Sequence, residues 1–272
     1  MSNRTNPEYL KNYQYLDAQK LTARIDLHRR FSTNHQDWFC WVFDQFNLQP
    51  PVSILELGCG SGLLWKTNMG RIPAGYQIFL SDFSPGMVTQ ARPNSDTAHQ
   101  LFHYSVLDAQ AIPFQAACFD LVVANHMLYH IPDRPLAIKD IHRVLKPGGK
   151  LLAATNGLNH MGEIHQLLLR LDPSLAYHTE HAFGVNEFTI ENGASQLAPW
   201  FDNIQITPFE GSLEVTEAAP LIAYILSMNT APHIKVTSQQ ISNLRDEINR
   251  DINLRGSYHI TKSTALFVAE NL

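Results

Sequence analysis

Three glycines at alternating positions form the segment whose chemistry is easiest to interpret. Gly58, Gly60 and Gly62 follow an apolar run that ends near Glu56, and a helix-compatible stretch begins at the last glycine. Glycine lets a backbone turn sharply and come close to a ligand. The N-terminus of a helix adds free N–H groups and positive potential. The pattern therefore predicts a ligand-binding loop where a strand meets a helix.

Two nucleotide-binding loops that also use glycines do not fit this segment. A dinucleotide-binding loop needs G-x-G-x-x-G, but its third glycine position is Leu63 when counted from Gly58 and Trp65 when counted from Gly60. A P-loop needs Gly-Lys-Ser or Gly-Lys-Thr at its end, and neither follows. These mismatches weigh against a nicotinamide-dependent oxidoreductase and against a P-loop protein.

The pattern that fits is E-x-G-x-G-x-G, and with it the chain resembles the class I S-adenosylmethionine-dependent methyltransferases over about residues 50–157. The resemblance implies an α/β fold with a Rossmann-like, mostly parallel seven-stranded sheet and helices on both faces. It also implies S-adenosylmethionine as cofactor and S-adenosylhomocysteine as product. In this family Glu56 would orient the loop or hold the amino group of the methionyl moiety, while Gly58 and Gly60 let the backbone come close.

An acidic residue ends the second apolar run, in the segment FLSDFSPGM. Asp82 lies twenty residues after Gly62, and one carboxylate at the end of a strand is suited to accept two hydrogen bonds from ribose hydroxyls. Phe83 then offers a ring face to the adenine, and Met87 offers a flexible apolar contact. The alternative for Asp82 is the N-cap of the helix that starts in SPGM.

Two further segments resemble the same family in the same order. In SVLDAQAIPF the resemblance implies that Asp108 accepts from the exocyclic amine of adenine, while the N–H of Ala109 meets a ring nitrogen. The alternative for Asp108 is a solvated aspartate in a turn. In FDLVVANHMLYHIPD the resemblance implies that Asn125 and His126 face the methionine end of the cofactor and the transferred methyl group.

Methyl transfer from a sulfonium is an in-line displacement, so the protein must align the reactants and exclude water. Only some acceptors also need a general base. For those, His126 and His130 are the first candidates, with Tyr129 between them, because histidine titrates near working pH. The alternative for His130, which precedes Ile131 and Pro132, is that it only satisfies backbone groups of its loop.

Short apolar runs alternate with helix-compatible stretches in the central part of the chain. Strands that alternate with helices predict βαβ units, a parallel sheet and right-handed crossovers. The apolar runs lie at 52–58, 76–83, 100–107, 119–125 and 150–156, and helices are predicted at 62–69, 85–91 and 134–145, the last capped by Asp133.

The chain is expected to form one continuous domain with three parts. Residues 1–49 are expected to be helical, as a lid or cap or simply packed on the body, with Ser32 or Thr33 capping the second helix. Residues 50–157 form the cofactor-binding core, and residues 158–272 complete the sheet and add helical insertions over the substrate. The last part is predicted to have helices near 158–171, 187–199, 217–228 and 238–253 and strands near 203–215 and 257–269, the last suited to a sheet edge.

Composition narrows the class of protein further. The 272 residues carry a formal net charge of -5 and no basic block, so a nucleic-acid partner is not expected. The 3 cysteines form no CxxC pair, and neither a signal peptide nor a long apolar run is visible. These features favour a cytoplasmic protein with no membrane attachment. The 13 histidines come without an HExxH motif, so no metal is expected.

The favoured function is therefore methyl transfer to a small organic acceptor at O, N or C. Two alternatives are a methyltransferase that acts on a peptide, protein or RNA and a non-catalytic module that binds S-adenosylmethionine. The Asn-Pro-Pro-Tyr motif typical of base-amino methylation is missing, because Asn125 is followed by His126, Met127 and Leu128. A peptide target stays open, and so does the choice between monomer and homodimer.

Overall fold

Parallel strands alternate with helices in the computed structural model, which describes residues 18–92, 101–171, 187–227 and 236–271. No helix in these ranges is long and apolar enough to cross a lipid bilayer. The described strands are β1 Val52–Leu57, β2 Tyr76–Asp82, β3 Phe102–Val106, β4 Phe119–Asn125, β5 Leu145–Asn156, β6 Ile204–Pro208, β7 Ser212–Val215, β8 Tyr258–Thr261 and β9 Thr264–Glu270.

Helices follow most of the strands, as the alternating pattern predicted. The side chain of Asp133 accepts a hydrogen bond from the N–H of Leu136 and so caps the helix between β4 and β5, as expected. The described α-helices are α1 Ala18–Phe31, α2 Trp38–Asp44, α3 Leu63–Asn68, α4 Pro85–Ala91, α5 Arg134–Val144, α6 Gly162–Leu171, α7 Ile190–Leu197, α8 Ala218–Ser227 and α9 Ser238–Arg255.

Helix α2 begins with a different cap from the one predicted. Asp37, which directly precedes the helix, accepts from the N–H groups of Phe39 and Cys40. Ser32 instead forms a β-bridge with Leu213, and Thr33 exchanges hydrogen bonds with Ser212. The expectation that Ser32 or Thr33 caps α2 is therefore wrong, because both residues pair with β7.

Seven strands form the main sheet, in the order β3-β2-β1-β4-β5-β9-β6. All neighbours from β3 to β5 are parallel, and β9 runs antiparallel to β5 and β6. This arrangement confirms the predicted mostly parallel seven-stranded sheet. The strand order reverses at β1, which lies between β2 and β4, and ligands of open α/β sheets bind at such a point beyond the carboxyl ends of the strands.

Apolar residues cover both faces of the sheet. In β1, Leu55 and Leu57 pack into one buried cluster and Ile54 packs into another on the opposite face. Parallel strands that are buried on both sides have nearly continuous apolar sequences, which is why VSILEL was recognisable as a strand. The rigid sheet therefore holds the loops at its carboxyl edge in fixed positions.

The last part of the chain departs from the predicted strands. The segment 203–215 contains two strands, β6 and β7, which belong to different sheets, and the segment 257–269 divides into β8 and β9. Strand β9 lies inside the main sheet, so the expectation of an edge strand there is wrong. Its apolar run is buried on both faces, whereas β6 exposes Ile206 and ends in Pro208, as an edge strand does.

Contacts group the chain into two compact units. The unit that holds the main sheet consists of Gln36–Asn156, Phe188–Phe209 and Thr264–Leu272, and the other of Met1–His35, Gly157–Glu187 and Glu210–Ser263. In the second unit, β7 pairs antiparallel with β8, and Leu27, Leu221 and Ile260 are among its fully buried residues. The three-part division of the chain and its continuity as one domain stay predictions.

Candidate functional site

The loop after β1 lies at the carboxyl edge of the main sheet. Gly58 and Gly60 both have left-handed backbone angles, with φ of 68° and 54°. A Cβ on Gly58 would lie 2.8 Å from the Cβ of Met127, so only glycine fits at that position. A Cβ on Gly60 would meet no atom within 4 Å. Gly58 therefore lets two loops approach each other, whereas Gly60 borders open space that a ligand can fill.

Asp82 at the end of β2 is joined to this loop. Its Oδ2 accepts from the N–H of Gly60 at 2.9 Å, and its Oδ1 accepts from the N–H of Ser84 at 2.8 Å. Ser84, not Asp82, caps α4, because the Ser84 hydroxyl accepts from the N–H of Met87. Burial raises the pKa of Asp82, although backbone N–H groups oppose the shift. Each carboxylate oxygen has a further lone pair, so two more donors can bind.

Phe83 and Met87 differ in how much of the side chain a ligand could touch. Phe83 is exposed over 43% of its surface, and the neighbouring strand end at Val106 is 52% exposed. Two apolar side chains at the carboxyl ends of β2 and β3 are therefore open to solvent, as a base-binding surface requires. Met87 is only 4% exposed, so it supports this surface from the core.

Asp108 lies in a turn that follows β3. Its Oδ1 accepts from the backbone N–H and the side-chain amide of Gln110, at 2.9 and 3.0 Å. The N–H of Leu107 donates to the carbonyl of Asp82 at 3.2 Å, which places this turn next to the end of β2. Ala109 is buried at 5% exposure. Gln110, which sequence reasoning missed, orders the carboxylate of Asp108, and the contact of Asp108 with adenine stays a prediction.

Glu56, near the end of β1, is a buried carboxyl group with 2% exposure. Its Oε2 accepts from the indole N–H of Trp65 at 2.6 Å. Burial raises the pKa of Glu56 to about 8, and the charge of Asp82 acts in the same direction, while the bond from Trp65 opposes it. The group is therefore mostly protonated at pH 7 in the unliganded protein. Sequence reasoning missed Trp65, although an indole in the first turn of α3 was a usable signal.

Asn125 and His126 follow each other at the end of β4. The Oδ1 of Asn125 accepts from the indole N–H of Trp38 at 3.2 Å. His126 has a left-handed φ of 56°, and its N–H donates to the carbonyl of Ala154 in β5 at 3.2 Å. A non-glycine residue with such an angle is unusual and is found preferentially at functional sites.

The imidazole of His126 is neutral at working pH, because burial lowers its pKa to about 4. The expectation that this side chain titrates near pH 7 is wrong, since sequence alone does not show the loss of hydration. A neutral imidazole keeps a lone pair and one N–H, so it can accept or donate a hydrogen bond. Its low pKa makes it a weak base.

Tyr129 and His130 belong to a 3-10 turn, Leu128–His130, that follows β4. Their ring centroids are 4.5 Å apart, while the ring of Tyr129 lies 6.4 Å from that of His126. The backbone N–H of His130 donates to the carbonyl of Met127. The structure thus brings the three candidate bases close together, and the part that Tyr129 and His130 play in catalysis stays a prediction.

Three aromatic residues that do not belong to the predicted cofactor site, Trp38, Trp41 and Phe209, also lie at this edge. The Trp38 ring lies 5.1 Å from that of His126, and Trp41 and Phe209 lie 5.2 and 5.1 Å from Trp38. Their separation in the chain explains why their proximity was missed.

Within the described ranges, no group of three or more His, Cys, Asp or Glu residues could hold a metal ion.

The central part of the chain is similar to known methyltransferases. A family model described as a methyltransferase domain matches residues 55–153. The chain is similar to the ubiquinone/menaquinone biosynthesis C-methyltransferase UbiE of Laribacter hongkongensis, with 30% identity over 43% of this chain and 48% of that protein. It is also 34% identical to a malonyl-[acyl-carrier protein] O-methyltransferase of Pseudescherichia vulneris, over 46% of this chain and 47% of the relative. The chain thus spans about half the length of these relatives.

Solved structures share the fold at low sequence identity. The phosphoethanolamine N-methyltransferase 2 of Haemonchus contortus, in complex with S-adenosyl-L-methionine, has a TM-score of 0.59 and 18% identity over 97% of this chain and 59% of that one. The [4+2]-cyclase SpnF has a TM-score of 0.58 and 16% identity over 97% and 96% of the two chains. These two proteins carry different activities, so the shared fold alone does not identify a reaction.

Proposed function

Residues 55–153 belong to the class I S-adenosylmethionine-dependent methyltransferase family, and on this premise we propose that the chain transfers a methyl group from S-adenosylmethionine to a small organic acceptor. The observation that carries the proposal is the contact between Asp82 and the N–H of Gly60. It puts a carboxylate with spare lone pairs beside the open space that borders Gly60. A nucleoside can therefore meet a hydrogen-bond acceptor for its ribose and a backbone without side chains.

The chemistry of the surrounding groups fits this cofactor from one end to the other. The exposed ring of Phe83 supports the adenine, and Asp108 with the N–H of Ala109 binds its polar edge. Asp82 accepts from the ribose hydroxyls, and Glu56 receives the ammonium of the methionyl moiety once its own proton is lost. The partial positive charge of backbone N–H groups in the glycine loop favours the cofactor carboxylate.

When bound, S-adenosylmethionine would supply a methyl group activated by its sulfonium, with S-adenosylhomocysteine as the leaving group when an acceptor in line with the C–S bond takes the methyl. Asn125 and His126 lie at the end of β4 and orient the acceptor there. Because the pKa of His126 is about 4, its imidazole is a poor match for a phenol, whose pKa is about 10. We therefore assign His126 to hydrogen bonding and alignment, with proton removal confined to acidic acceptors.

The cysteines and the named relatives bear on the compartment and the acceptor of the reaction. All three cysteines, Cys40, Cys59 and Cys118, are free thiols, which suits a reducing compartment, and we place the protein in the cytoplasm. One relative is named for ubiquinone and menaquinone biosynthesis and another for O-methylation of malonyl-[acyl-carrier protein], and with these names in view a small acceptor is the favoured substrate. A peptide or carrier protein is the second class to test.

Gly60→Ala should separate ligand binding from folding. The new Cβ would enter the open space beside Gly60, so we expect S-adenosylhomocysteine to bind about tenfold more weakly or worse. The matched control is Gly148→Ala, because Gly148 also has a positive φ and a Cβ there would likewise meet no atom within 4 Å. Both variants should lose about 1–2 kcal/mol of stability from the left-handed angle. Equal ligand affinity in the two variants would show that Gly60 does not face the cofactor.

A thermal-shift panel tests the function itself. S-adenosylmethionine and S-adenosylhomocysteine should stabilise the protein by about 2.7 kcal/mol at 100 times Kd, whereas NAD and NADP should not. Transfer of labelled methyl groups to small acceptors should then follow. Stabilisation by NAD, or by neither class of ligand, would overturn the proposal, while binding without transfer to any acceptor would favour a non-catalytic module.

A further inference from the structure

The carboxyl end of β4 carries a cluster of rings that we call the aromatic wall, defined as Trp38, Trp41, His126 and Phe209. Trp38 contacts each of the other three, with centroid separations between 5.1 and 5.2 Å. Trp41 and Phe209 also contact each other at 5.0 Å, so Trp38 is supported from behind by two rings. The Trp38 ring is tilted by 41° to the imidazole of His126 and packs against it.

The indole N–H of Trp38 also sets the direction of the Asn125 amide. An indole nitrogen only donates, so the oxygen of Asn125 must face it, as the 3.2 Å bond shows. The NH2 group of Asn125 then points away from Trp38 with two donors. The end of β4 therefore presents hydrogen-bond donors to a ligand, and this polarity depends on Trp38.

The wall carries no charge of its own. In the described part of the chain, the ring contacts given for Trp38, Trp41 and His126 are to uncharged side chains, and the indole N–H of Trp38 donates to the amide of Asn125. Burial keeps His126 neutral. An anionic group placed against these rings would lose hydration without gaining a counter-charge. A planar uncharged group would instead gain ring contacts.

We propose that Trp38 is the positioning residue of the acceptor side and that this side takes a planar acceptor that carries no negative charge and bears an oxygen, which accepts a hydrogen bond from Asn125. The inference rests on the proposed function, because a bound methyl donor is what makes the end of β4 the acceptor side. Trp38 acts through Asn125 and His126 and does not itself react.

Calorimetry on the full chain saturated with S-adenosylhomocysteine tests this assignment with 2-naphthol as the probe. Phenyl phosphate serves as a planar anion for comparison. We expect 2-naphthol to bind about tenfold more tightly than phenyl phosphate. Trp38→Phe, which keeps a ring and loses the N–H, should weaken 2-naphthol binding about fivefold while changing the affinity for S-adenosylhomocysteine by less than about twofold.

A double-variant cycle with Trp38 and Asn125 distinguishes a positioning role of Trp38 from simple packing. Asn125→Ala should cause a similar loss, and the double variant Trp38→Phe/Asn125→Ala should lose little more than either single variant, because the N–H acts through the amide. Trp200→Phe is the matched control, since the Trp200 ring packs instead against His142 and Lys139. Additive losses, an unaffected Trp38→Phe, absent 2-naphthol binding, or equal binding of phenyl phosphate would overturn the inference. Failure of the wild-type chain to bind S-adenosylhomocysteine would instead overturn the proposed function.

Discussion

We expect Asp82→Ala to weaken the binding of S-adenosylhomocysteine by about tenfold or more, because hydrogen bonds to a charged group contribute about 1.5–3 kcal/mol each. The carboxylate already holds the N–H groups of Gly60 and Ser84, so its loss also releases the glycine loop. The affinity of Asp82→Asn for S-adenosylhomocysteine should lie between those of the wild type and Asp82→Ala, because an amide keeps one oxygen acceptor. Isothermal calorimetry at constant pH measures all three affinities.

Asp120→Ala is the matched control for this experiment. Asp120 is also partly buried, and it accepts from the N–H of Ser53 and from the ammonium of Lys146. It lies near the start of β4, at the opposite end of that strand from Asn125. Its loss should reduce stability without changing ligand affinity. If both alanine variants bind S-adenosylhomocysteine as the wild type does, the ribose is not held by Asp82.

A second large effect is expected in the pH dependence of cofactor binding. Glu56 has a pKa of about 8 in the unliganded protein, and an ammonium is attracted to the ionised carboxylate only. Binding therefore includes the loss of one proton from Glu56. The affinity for S-adenosylhomocysteine should rise roughly 25-fold between pH 6 and pH 7.5, in proportion to the ionised fraction of a group with a pKa of about 8.

Glu56→Gln separates this linkage from other titrations. The variant should bind more weakly at pH 7.5, and its affinity should be nearly flat over the same range. Calorimetry in buffers of different ionisation enthalpy should detect proton release from the wild type and none from the variant. A steep pH dependence that survives Glu56→Gln would assign the proton to another group.

Glu56 should also make the folding stability of the unliganded protein depend on pH. The pKa of Glu56 is raised from 4.5 to about 8 by burial, so the native state binds the proton more tightly than the unfolded state does. Stability contributed by this group is full at low pH and is lost as the pH rises towards 8. Urea unfolding of the unliganded protein should show this decline, and Glu56→Gln should reduce it.

Local sequence patterns were enough to predict most of the main sheet and to select candidate residues for the cofactor site. The continuous apolar runs identified the strands from β1 to β5, and a methyltransferase-domain model matches residues 55–153, in agreement with the resemblance that the glycine loop and the following acidic segments indicated. Both kinds of pattern can be recognised in a short stretch of sequence. A buried parallel strand is apolar along its whole length, and the turn at its carboxyl end requires particular residue types such as glycine.

Contacts between distant residues account for what could not be predicted. Trp38 meets Asn125 and Phe209 only after the sheet has formed, and nothing in the helical spacing around Trp38 identifies these partners. The neutral state of His126 and the protonated state of Glu56 also depend on burial by the completed fold. The position of β9 inside the sheet follows from strand pairing, which a single sequence does not reveal.

We expect a sulfonium nucleoside to lie across the carboxyl ends of β1, β2 and β4, and a crystal structure with S-adenosylhomocysteine would show its position. The ribose hydroxyls should lie within hydrogen-bond distance of Asp82, the adenine against Phe83 and the homocysteine amino group at Glu56. A nucleoside bound elsewhere, or side chains filling the space beside Gly60, would contradict this expectation.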